Sequence, residues 1–112
     1  MVLPKREMLS RALKLGVRMV AGSDARYEDE RRLQDEVAQL VLYGVAPMDA
    51  IKAATSVAAE CLMINARTGS VKTGLEADLI VVDADPLADI NALRDVSLVI
   101  NNGKVAVNRL SF

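Results

Sequence analysis

An α/β fold closed by a small antiparallel sheet is predicted for this chain of 112 residues on three observations. A nearly continuous apolar run, Val17 to Ala21, reads as a parallel-type strand buried on both faces, with helical patterns before and after it. At about Gly69 the apolar period changes from 3.6 to 2. Asn102-Gly103 then fits a two-residue type I′ turn between alternating segments.

Taken in order, Pro4 suits the first turn of a helix running to about Leu15, with Met8, Leu9, Ala12 and Leu15 as its apolar face and Gly16 as its stop. The strand 17–21 follows at once. Arg26 to Arg32 is a dense charge run that reads as a solvated loop and first helical turn, or as a substrate-facing loop. Leu33, Val37, Leu40 and Val41 recur at helical spacing, predicting a helix over about 29–43 that ends at Gly44. Pro47 opens a further helix over about 47–62, with Ile51, Ala54, Ala58, Cys61 and Leu62 as its buried stripe. Ala77 to Asp83 reads as a strand and Asp85-Pro86-Leu87 as a turn. Val96 to Asn101 alternates into the hairpin, which returns through Lys104 to Val107.

Composition narrows the function. Fourteen basic and fifteen acidic side chains leave a formal charge of −1, which gives no reason to expect nucleic acid or an anionic membrane as partner. No apolar run approaches the ~20 residues of a membrane span. Met1 to Glu7 lacks the apolar block of a signal peptide, so a cytoplasmic location is expected. One cysteine, Cys61, allows no intrachain disulfide, and it is expected as a small buried hydrophobe. The absence of histidine removes Ser/His/Asp, Cys/His and His-based metal sites from this chain.

The candidate catalytic residue is Asp24. Gly22 releases the backbone as the strand ends, and Ser23-Asp24 sits at a strand's carboxyl end, where α/β proteins place their chemistry. A capping or turn aspartate is the alternative. Asp78, Asp83, Asp85, Asp89 and Asp95 have the spacing of strand-edge and turn punctuation rather than of a metal site, and Lys72, Lys104 and Arg109 read as solvated.

These features in series resemble the C-terminal end of the metal-dependent amidohydrolase superfamily, especially its imidazolonepropionase-like and prolidase-like members. The matching pieces are Gly16-Val17 through Gly22-Ser23-Asp24; Gly44, Pro47 and Ala50 leading to Ala54-Thr55; Ala58-Ala59; Gly69 through Gly74; Ala77-Asp78-Leu79; Asp85-Pro86-Leu87; and Asn102-Gly103-Lys104-Val105. Val57 departs from the pattern, standing where many relatives carry Asn. So does Met63, where Gly often follows Leu.

The resemblance implies a (β/α)₈ (TIM-type) barrel flanked by a β-sandwich. Residues 1–67 would hold its last strand and helices, and 68–112 the antiparallel share of the sandwich. It implies a hydrolase of C–N bonds in amides, cyclic amides or dipeptides. Asp24 would then be its metal-binding and proton-transfer residue, with a divalent metal, zinc by expectation, as cofactor. The family's His-x-His, bridging lysine or glutamate and later histidines belong before the position matched by Met1. The barrel in this chain is therefore incomplete, since a whole one takes ~250 residues. The chain alone is expected to be inactive and to need a complementing chain or a homo-oligomer. A stand-alone, non-catalytic oligomerising module derived from an amidohydrolase is the alternative.

Overall fold

Local signals govern where the helices stop. In the computed structural model, which describes residues 4–26 and 32–110, α1 spans Lys5–Lys14 and α2 spans Leu33–Leu42. Each ends in the same two-bond stop. Val17 N–H donates to the Ala12 carbonyl and Gly16 N–H to Leu13; Val45 N–H donates to Leu40 and Gly44 N–H to Val41. Such a stop needs a left-handed residue after the cap, and Gly16 (φ 75°) and Gly44 (φ 101°) supply it. The start of α2 is fixed from the other side: Arg32 N–H donates to the Asp35 carboxylate at 3.1 Å. The segment 29–31 of the expected helix lies outside the described residues.

The single helix expected over 47–62 is two helices, α3 (Pro47–Ala53) and α4 (Ser56–Cys61). Thr55 breaks it. Its hydroxyl donates back to the Ile51 carbonyl at 2.8 Å, and its backbone leaves the helical region at φ −130°, ψ −96°. The break changes which side faces inward, so Ala50, Ala53 and Ala59 are buried whereas Cys61 and Leu62 are exposed. The expected burial of Cys61 is thereby corrected.

Val17–Ala21 is extended in course but forms no strand: the described elements carry no ladder there. A parallel strand needs a neighbour from a crossover unit, and this chain offers it none among the described residues. Its main tie is one bond from Ala21 N–H to the Ala53 carbonyl at 2.9 Å. The residues alternate nonetheless. Met19, Ala21 and Ser23 are half-buried, and Met19 and Ala21 pack on a core of Val37, Val45, Ala50 and Ile90; Val20, Gly22 and Asp24 are exposed.

The second region closes on itself. Strands β1 (Leu79–Val82), β2 (Val96–Asn101) and β3 (Lys104–Asn108) form an antiparallel sheet in the order β1-β2-β3. Asn102 (φ 48°) and Gly103 (φ 77°) both lie in the left-handed region, as a type I′ turn demands. A 3₁₀ helix, Ile90–Arg94, follows the Asp85-Pro86-Leu87 turn and had no counterpart in the periodicity. It carries Ile90 into the core against α2, and Arg94 pairs with Asp35 at 3.0 Å.

Packing is thin for this length. The chain exposes 8471 Å², against about 6000 Å² for a compact monomer of 12.1 kDa. Its radius of gyration is 15.2 Å, where about 13 Å is usual for 100 residues.

Candidate functional site

Asp24 follows the extended segment, three residues after Ala21. Its backbone is left-handed (φ 49°), a conformation that Asp tolerates better than most residues and that recurs at working sites. The carboxylate belongs to the exposed side of the segment, the side shared by Val20 and Gly22 and opposite the helical layer. Two bonds frame the turn: Ala21 N–H to Ala53 O upstream, and Ala25 N–H to the Ser23 hydroxyl oxygen at 3.3 Å downstream.

Asp24 has no company of the kind a metal requires. Among the described residues no group of three or more His, Cys, Asp or Glu side chains comes together. Several other aspartates accept hydrogen bonds that hold the fold. Asp85 accepts from Leu87 N–H at 2.9 Å, Asp89 from Asn91 N–H at 2.9 Å, and Asp83 from the hydroxyl of buried Ser97 at 2.8 Å. Asp78 does most. It accepts from Asn102 N–H and from the Thr68 hydroxyl, both at 2.8 Å, tying the hairpin tip to the end of the helical region. The Asn102 amide first and the Thr68 hydroxyl second hold its carboxyl below the ordinary value. Sequence spacing marked Asp78 as punctuation, but its two long-range donors left no local signal.

Comparison with known proteins decides the family. The model of the amidohydrolase family matches residues 2–106.

This chain belongs to the amidohydrolase family.

Its helices and sheet superpose on larger members. A Bifidobacterium longum protein named, provisionally, a prolidase is 34% identical with a TM-score of 0.80, over 91% of this chain and 26% of that one. A Xaa-Pro dipeptidase with methionine bound in its active site is 33% identical with a TM-score of 0.81, over 89% of this chain and 25% of that one. A prolidase complexed with N-methylphosphonate-L-proline is 32% identical with a TM-score of 0.82, over 94% of this chain and 26% of that one. The chain thus spans about a quarter of the length of these structures. No curated protein matches. The amidohydrolase reading of the sequence is correct, and so is its prolidase-like leaning.

Proposed function

We propose that this chain is the C-terminal part of a metal-dependent hydrolase of C–N bonds, with amides, cyclic amides or Xaa-Pro-type dipeptides as its substrate class. The observation that carries this reading is the match to prolidase-like structures over nine-tenths of this chain. Asp24, on the exposed side of the segment, supports it. Residues 1–67 are the last strand and helices of the barrel and 68–112 its share of the sandwich. Val17–Ala21 becomes a laddered strand once neighbouring strands are supplied.

Asp24 is the metal-binding and catalytic residue that this chain gives to the complete enzyme. An anionic oxygen suits a divalent cation, zinc by expectation, but a catalytic zinc takes about three protein ligands. The described residues offer no such group, so the metal site is completed by other sequence. A divalent metal held there in the completed enzyme would lower the pKa of a water it binds. In the completed enzyme the Asp24 carboxylate would accept a proton from the attacking water and return it to the leaving nitrogen, ending ionised as it began. Exposed Cys61, a lone thiol, fits a reducing cytoplasmic setting.

The test is Asp24→Asn in the enzyme completed by its missing barrel sequence. Hydrolysis of a Xaa-Pro dipeptide is expected to fall at least about 1000-fold, with the assembly intact by light scattering. Turnover that survives Asp24→Asn would overturn the assignment.

A second reading is favoured by the excess exposed surface. The chain by itself is an oligomerising module, and its mass in light scattering exceeds that of a monomer. A monodisperse, cooperatively unfolding monomer would sink that reading.

A further inference from the structure

We propose that Ser23 is a positioning residue for Asp24, an inference that rests on the role given to Asp24 above. The turn Gly22-Ser23-Asp24-Ala25 must hold a carboxylate still while its own backbone sits in the left-handed region at φ 49°. Asp tolerates that region better than most residues but does not prefer it, so the surrounding bonds matter for keeping the chain there. Upstream, the segment is secured by Met19 and Ala21 packing on the core and by the Ala21–Ala53 bond. Downstream, the Ser23 hydroxyl oxygen takes the place of a backbone acceptor and receives Ala25 N–H at 3.3 Å.

That bond bridges Asp24 from one side to the other. Among the described residues it is the one side-chain hydrogen bond within the 22–26 turn. Ser23 is half-buried whereas Asp24 is exposed, so the hydroxyl bonds the backbone while the carboxylate remains available. Ser23 touches no reacting atom. Its oxygen sets the backbone that aims Asp24, and a misaim of about 1 Å in a catalytic group costs up to about 100-fold in rate.

The experiment compares Ser23→Ala, Ser23→Thr and Asp24→Asn in the completed enzyme, with a Xaa-Pro dipeptide as substrate. Ser23→Ala lowers kcat about 10- to 100-fold with KM nearly unchanged. Ser23→Thr, which keeps the oxygen, restores most of kcat. Hydrogen exchange gives a readout independent of turnover: in the 112-residue chain the Ala25 amide exchanges faster in Ser23→Ala and returns to its slow rate in Ser23→Thr.

Three results would overturn the inference. They are a Ser23→Ala enzyme with unchanged kcat, a melting temperature that falls in step with kcat, or a Ser23→Thr enzyme no better than Ser23→Ala. If Asp24→Asn is inactive while Ser23→Ala keeps its full kcat, Ser23 alone is misassigned. An active Asp24→Asn enzyme removes the role of Asp24 itself.

Discussion

The two regions of this chain differ in where their partners are. In residues 68–110 every strand finds its ladder within the chain, and the hairpin tip is held from behind by Asp78 and by the Gly103–Ala77 backbone bond at 3.0 Å. In residues 4–67 the helices pack on one another, but the extended segment between α1 and α2 has helices on one side and solvent on the other. Leu15, Val17 and Val20 are all exposed there. The contrast separates local from non-local structure. A turn or a helix stop is completed by its immediate neighbours, whereas a parallel strand stays unmade until distant sequence arrives.

Substitutions at the seam between the regions should have the largest effects. Gly69 has a positive φ of 101°, and a Cβ there would lie 2.4 Å from that of Ala59, which is itself buried in α4. Gly69→Ala is expected to destabilise by about 3 kcal/mol, from strain and overpacking together, read as a lower urea midpoint. Ile90→Ala removes the side chain that the 3₁₀ helix inserts beside Val37 and Val45. It should cost about 2 kcal/mol, the low end for such truncations because so thin a core can relax. An unchanged midpoint would mean that the regions are independent.

Within each region the effects should be smaller. Gly103→Ala meets no atom within 4 Å, so only its φ of 77° is strained. About 1 kcal/mol of destabilisation is expected from that alone. Met63 points the other way. It occupies the left-handed stop of α4 (φ 57°), where Ile64 N–H donates to Ala59 and Met63 N–H to Glu60. Met63→Gly should therefore stabilise by about 0.5–1 kcal/mol in the same titration.

Asp78 adds a pH dependence. Its carboxyl is depressed in the folded state, so its contribution is present above the unfolded carboxylate range and is lost as pH falls through the lower folded value. Asp78→Asn should flatten the acid limb of the stability curve, measured as urea midpoint against pH.

The same division explains what was legible in the sequence. Gly16, Gly44 and Asn102-Gly103 act on the residues next to them, and each ends its element as their spacing implies. The buried stripe assigned to 47–62 failed because periodicity runs through Thr55 while the backbone does not. The apolar run 17–21 reads as a strand, but no ladder forms there among the described residues. The 3₁₀ helix was hidden because Asp85-Pro86-Leu87 reads as a turn and Ile90 is a single inward residue. Of the candidate site, the position of Asp24 after the extended segment is legible in the sequence. The hydroxyl bond of Ser23 is a matter of one torsion angle, which composition and spacing do not carry.

Ile90 has a consequence for melting. Its side chain belongs by sequence to the connection between β1 and β2 and by contact to the helical core. A calorimeter would therefore record one heat-absorption peak rather than two, since neither region can loosen without uncovering that shared residue.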